Sequence, residues 1–184
     1  MTKKKVTSRF EAKLLRPAEP HDASWAFVLL PAEASATLPR RGRTTVDGTL
    51  NGQPFRATLE PDGQQSHWLK VDKALLEAAD ATVGNTVTIE LAPVAREPEP
   101  ELPADLHRML DDTPEARSTW DSATTLARVD WIHWITSPRQ AATRAKRIAD
   151  ARDMLVSGKR RVCCFDPSGY YSKAFAAPEV ADEP

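Results

Sequence analysis

At 184 residues, the chain is long enough for one domain or two small ones. Its 25 basic and 26 acidic residues leave a net charge of −1, which argues against a protein that coats nucleic acid, and its ordinary apolar content reads as a soluble globular chain. Met1 to Lys5 is basic, but no apolar run follows it and no segment approaches the length of a membrane span, so the expectation is a cytoplasmic protein with no membrane partner.

From Arg9 to about Val94 the sequence reads as strands. Phe10 to Leu14 alternates, Trp25 to Leu30 is a buried run closed by Pro31, and Thr44 to Leu50 alternates again. Asn51-Gly52 is a hairpin turn, Pro54 to Leu59 the returning strand, and Asp62-Gly63 a second turn before Trp68 to Val71. A short helix from Asp72 to about Ala79 precedes Gly84-Asn85 and the closing strand Thr86 to Leu91. Many short strands with one small helix predict a compact barrel, because closure removes exposed strand edges.

Gly48-Thr49-Leu50-Asn51-Gly52-Gln53-Pro54-Phe55, with Leu59-Glu60-Pro61 and His67-Trp68-Leu69, resembles a domain of unknown function often fused ahead of YdeI-like domains. The resemblance implies a small double-split β-barrel, distantly like AbrB-type and MazE-type regulators, and so a barrel that could mediate assembly into a homo-oligomer. Gly84-Asn85 stands where that domain has Gly-Asp, so no role is carried over for an aspartate there.

The proline- and glutamate-rich PVAREPEPELP forms neither helix nor central strand, and it marks a boundary. The expected organisation is α+β: a barrel at 7–94, a linker at 95–102, a helical domain at 103–162 and a tail at 163–184. Four helices are read: Pro103 to Leu110, Pro114 to Asp121, Ala123 to Thr136 and Pro138 to Ser157, with Thr113, Ser122 and Ser137 as caps. Pro138 suits a first helical position, Gln140 completes a capping box, and Gly158 ends the last helix. On that helix Ala141, Ala145, Ile148, Ala149, Leu155 and Val156 form an apolar stripe, flanked by Arg144 and Arg147, with Arg152 in its middle. The helix before it carries Leu126, Val129, Trp131, Ile132, Trp134 and Ile135 around nearly its whole circumference, which predicts burial on several sides.

Trp131 and Ile135, then Thr143-Arg144 with Arg147, then Leu155, Gly158 and Lys159, resemble the helical domain of the bacterial YdeI/OmpD-associated, bacteriocin-protection family. Leu102 to Leu106 and Pro114 to Arg117 match that domain's opening. Thr136-Ser137 replaces the Ala-Lys common in such domains, so no lysine role is carried over. The resemblance implies a non-enzymatic protective or stress function.

Acidic residues crowd the first part of the helical domain and basic residues the last. One reading pairs the two halves within the molecule or leaves them on solvated faces, and another has Thr143, Arg144 and Arg147 hold the helix against the barrel. The sharper reading has Arg139, Thr143, Arg144 and Arg147, beside free helix amides, bind an anionic small molecule or an acidic protein partner. Trp131 and Trp134 could stack a base or a sugar, but nucleic acid would need a broader basic footprint. No cofactor motif and no metal-ligand spacing is present among His21, His67, His107 and His133. His67 beside Ser66 is the one arrangement that hints at catalysis, and nothing selects an acid to complete it. Cys163 and Cys164 are adjacent: the plainer reading is two ordinary thiols at a domain edge, while a strained vicinal disulfide is open to them and Lys159-Arg160-Arg161 just before them could lower a thiol pKa.

Overall fold

Six strands with alternating inward residues curl into a nearly closed antiparallel barrel. The computed structural model describes residue 6 and residues 8–182; the basic stretch Met1 to Lys5, and Thr7 at the expected start of the barrel domain, lie outside them. Within the described residues the chain up to Arg96 and again from Ser168 forms one unit, and Glu97–Pro167 forms another.

The barrel elements are β1 (Ser8–Lys13), β2 (Ala26–Leu29), α1 (Ala32–Ala36), β3 (Thr44–Leu50), β4 (Gln53–Pro61), β5 (His67–Val71), α2 (Lys73–Ala78) and β6 (Thr86–Pro93). The strands lie in the order β1-β6-β3-β4-β5-β2. A single bridge closes the seam: Leu15 and Phe27 exchange two backbone hydrogen bonds, at 2.8 and 3.0 Å. Leu14, Val28, Leu30, Val46, Leu50, Leu59, Leu69, Val71, Val87, Ile89 and Leu91 fill the interior. Their period-two spacing is what the strand reading used.

The turns follow their residues. Asn51 (φ 47°) and Gly52 (φ 84°) both take positive φ, as a type I′ hairpin requires, and the Asn51 side chain accepts from the Thr88 amide at 2.9 Å. Asp62 Oδ1 accepts from the amides of Gln64 and Ser66 and shapes the β4–β5 turn. Asp72 caps α2 through the Leu75 amide. The five-residue α1 escaped the sequence reading because so short a run carries no periodicity.

His67 is sealed inside this unit rather than placed at a reactive surface. Its Nε2 lies 2.9 Å from the Gly42 carbonyl and its Nδ1 2.7 Å from Ser35 Oγ, and both side chains are buried. The ring therefore donates to Gly42 and accepts from Ser35, tying β5 to α1 and the loop before β3. Ser66, its sequence neighbour, instead donates to the Leu30 carbonyl. The imagined Ser66–His67 nucleophile is absent.

The tail from Ser168 belongs to the barrel unit. The Ala18 amide donates to the Glu179 carbonyl, the Ala181 amide donates to the Arg16 carbonyl, and Pro17 bridges Val180. At Gly63 (φ 75°) an added Cβ would fall 2.0 Å from the Phe175 carbonyl oxygen.

The helical unit contains α3 (Ala104–Asp112), α4 (Pro114–Ser122), α5 (Thr125–Thr136) and α6 (Ala141–Val156). Leu106, Leu110, Ala116, Trp120, Trp131, Ile135, Ala151 and Leu155 form its centre. Three expected caps differ. Thr124, not Ser122, caps α5 through the Ala127 amide, and Thr113 precedes α4 without a side-chain bond. Ser137 ends α5 instead of starting α6, which begins after Gln140 with no side-chain cap.

Two tests follow. Gly63→Ala should release the tail and speed tryptic cleavage after Lys173, whereas Gly52→Ala, also at positive φ but with nothing within 4 Å, should leave the cleavage rate unchanged. Burial lowers the His67 pKa below its ordinary value, outweighing the Gly42 hydrogen bond and Asp62, while Arg40 and Arg41 act with burial. The contribution of His67 is thus complete above the unfolded value of about 6.5 and declines as pH falls through it towards the depressed folded value. Urea unfolding at a series of pH values should show this decline, and His67→Gln should flatten that part of the profile.

Candidate functional site

The buried face of α6 is not the one that the alanines mark. Ala141, Ala145, Ala149 and Val156 are exposed, and so is Leu126 on α5, while Ala151 and Leu155 are buried and Ile148 is half-buried. At 100° per residue Arg144, Ile148, Ala151 and Leu155 fall within roughly 60° of arc. Arg144 therefore stands on the inward face, with Arg147 beside it. Arg152, expected in the middle of the stripe, is exposed and lies 3.3 Å from the carboxylate of Asp153.

Each inward guanidinium meets acceptors. Arg144 makes a bidentate pair with Asp105 near the start of α3, Nε to Oδ2 at 2.8 Å and Nη2 to Oδ1 at 3.0 Å. Its hydrogen bonds hold the Asp105 carboxyl below its usual range, and the carboxylate in turn raises the Arg144 value. Arg147 Nη1 donates to the Trp134 carbonyl at 2.5 Å and to Ser137 Oγ at 3.1 Å, and its guanidinium lies 5.1 Å from the centre of the Trp134 ring. These contacts join α6 to the end of α5 and to α3.

The tryptophans are committed as well. Trp131 is fully buried, donates from Nε1 to the Arg160 carbonyl at 3.1 Å, and meets Trp134 edge-on with centroids 6.1 Å apart. Stacking of a base or sugar on Trp131 is therefore ruled out, and one face of Trp134 is occupied by Arg147.

Arg139 and Thr143 are exposed at the start of α6, as are Ala141 and Ala142. The first α6 amide to find a backbone acceptor is that of Arg144, which donates to the Gln140 carbonyl. Among the described residues no group of three or more His, Cys, Asp and Glu could hold a metal ion. None of their helices is long and apolar enough to cross a membrane.

One residue that the sequence reading passed over is Arg128. Its Nη1 donates to the carbonyls of Trp120 and Ala123 at the end of α4, and its Nε and Nη2 reach Glu99. Glu99 also accepts from Thr125 Oγ1. One cation thus satisfies a helix C-terminus and fastens the segment entering the unit. Arg128 and Glu99 are 29 residues apart, so no local signal marks the pair.

Residues 99–158 match the family described as "Bacteriocin-protection, YdeI or OmpD-Associated", and residues 10–91 match a domain of unknown function, DUF1905. Over residues 99–158 the helical unit is similar to the YdeI/OmpD-associated family. A comparison with curated proteins finds no match. The YdeI/OmpD-associated match begins at Glu99 and so takes in the Arg128 partner, the Asp105–Arg144 pair and all of α6. It ends at Gly158, before Cys163, Cys164 and the tail.

Removing these contacts should separate structural arginines from exposed ones. Arg128→Ala takes the donor from the Ala123 carbonyl and one of two donors from the Trp120 carbonyl, and should cost about 1–3 kcal/mol. Arg144→Ala should cost about 1 kcal/mol, with coupling to Asp105→Ala in a double-mutant cycle. Arg139→Ala should change stability by no more than about 0.5 kcal/mol. Urea unfolding of the four single variants and of the Asp105→Ala/Arg144→Ala double variant measures all of these.

Proposed function

We propose that the chain is a non-enzymatic cytoplasmic binding protein acting in bacterial bacteriocin protection or stress, whose helical unit recognises an anionic ligand or acidic partner at the start of α6. The observation that carries this reading is the open α6 N-terminus: a sixteen-residue helix with no side-chain cap, flanked by exposed Arg139 and Thr143. Uncapped amides and the positive end of the helix dipole favour an anion. Arg144 retains Nη1, and Arg147 its Nε and Nη2, outside the hydrogen bonds described above. In this reading the two arginines set the position of the helix, and Arg139 with Thr143 meets the ligand. The family's description as bacteriocin-protection supports the setting.

The proposal assigns no reaction to the chain. In support, the Ser35–His67 hydrogen bond, which joins a hydroxyl to an imidazole, is closed off from solvent.

A second reading, assembly through the barrel, is favoured by apolar groups on its outer surface. Leu29 is exposed opposite Trp68, and Lys70 lies 4.6 Å from the centre of the Trp25 ring. In this reading assembly would proceed through these side chains. Concentration-dependent light scattering distinguishes a monomer from such an oligomer.

A thermal-shift screen of nucleotides, sugar phosphates, polyphosphate and oligonucleotides tests the leading reading. A ligand at a hundred times its Kd should add about 2.7 kcal/mol to stability. Arg139→Ala/Thr143→Ala should abolish the shift while leaving the ligand-free melting temperature nearly unchanged. Equal shifts in both proteins, or none with any anion, would overturn it.

A further inference from the structure

Beyond α6 the chain makes a short, pinned excursion that the family match does not reach. Gly158 (φ 89°) ends the helix, with its amide donating to the Leu155 carbonyl and that of Lys159 to Met154. Two contacts then fix the segment to α5: the Trp131 indole bond to the Arg160 carbonyl, and Phe165, whose ring meets His133 on edge at 5.4 Å. Between these pins stand Cys163 and Cys164, both exposed, with their sulfurs 3.0 Å apart. Neighbouring side chains of an extended strand point to opposite sides. Here Cys164 takes a left-handed conformation (φ 60°), uncommon outside glycine, and the turn sets both thiols together towards solvent.

Three chemistries suit paired thiols, and the geometry separates them. A structural zinc needs four ligands, and among the described residues no cluster offers even three. A disulfide between consecutive residues must span Cα atoms about 3.8 Å apart, below the ordinary range of about 4.4–6.8 Å, so it would be strained and easily reduced. A thiophilic centre that bonds to both sulfurs while keeping them apart avoids that strain. We propose that Cys163 and Cys164 form a vicinal dithiol site for a trivalent arsenical.

The reaction is a condensation with no change of oxidation state. With an organoarsenic(III) oxide, two As–S bonds form, both S–H bonds and the arsenic–oxygen bond break, and the two protons leave with the oxygen as one water. The resting charge state suits this step. Hydrogen bonding to Cys163, together with the repulsion of a second thiolate there, pushes the Cys164 thiol above its ordinary value, and the opposing pull of Lys159 is smaller. At Cys164 the basic run before the pair therefore does not produce the acidic thiol that the sequence left open. The raised Cys164 value keeps its proton on sulfur until the arsenic–sulfur bond forms.

Phenylarsine oxide is the probe, used on the full chain after reduction and read by intact mass. The expected product carries one phenylarsenic group per chain, gained with loss of one water. Cys163→Ser and Cys164→Ser change exposed positions, and circular dichroism confirms that each folds. The natural adduct should lose arsenic to excess glutathione roughly a hundredfold more slowly than either single variant, the lower end of what tethering two binding groups confers. A dithiol competitor should strip it readily. Loss to glutathione at the same rate in all three proteins, or failure of the reduced natural chain to form an adduct, would overturn the proposal.

Discussion

A guanidinium drawn against a small helical unit gains from protein acceptors, because a charge taken partly out of water and left unmet is costly. Arg128, Arg144 and Arg147 all meet that demand, and in doing so they set how the four helices sit. Arg128 gathers the end of α4 and the incoming segment at Glu99, Arg144 holds α6 to Asp105 on α3, and Arg147 holds it to the end of α5. Apolar packing around Trp131 and Leu155 supplies the bulk of the burial. The arginines choose which face of α6 does the burying. That choice also leaves Arg139 and Thr143, at the open end of α6, as the groups facing solvent.

The barrel solves its own polar problem differently, with a neutral group. His67 bridges a hydroxyl and a carbonyl in a place that water does not reach, and burial keeps the proton off the second nitrogen. The same geometry makes it a clamp between β5, α1 and the loop before β3 rather than a base. A buried imidazole satisfied on both nitrogens has no lone pair left for a substrate.

The tail changes how the chain as a whole is organised. Because Arg16 to Ala18 pairs with Glu179 to Ala181, the helical unit lies in the sequence between two parts of the barrel unit. It is tethered at both ends by the chain. The vicinal cysteines occur just before the second tether, in a segment pinned to α5.

Much of the fold was legible in the residues themselves. Period-two spacing marked the strands of the barrel, Asn51-Gly52 marked the type I′ hairpin, and proline and glutamate marked the passage to the helices, because these signals act over a few residues. The four helices were legible too, for the same reason. The caps were less so, since Ser122, Thr124 and Ser137 are all competent and packing selects among them. The inward face of α6 was not legible. Alanine is tolerated both inside and outside, so Ala141, Ala145 and Ala149 look like a core stripe until the carboxylate of Asp105, 39 residues away, draws Arg144 inward. The same holds for Arg128 with Glu99 and for the tail with Arg16 to Ala18. The sequence by itself determined which elements form and in what order, the short α1 apart. Only the tertiary structure decided which charges are spent on holding the molecule together and which stay exposed to solvent, because pairing across long separations depends on where the chain returns and leaves no local pattern.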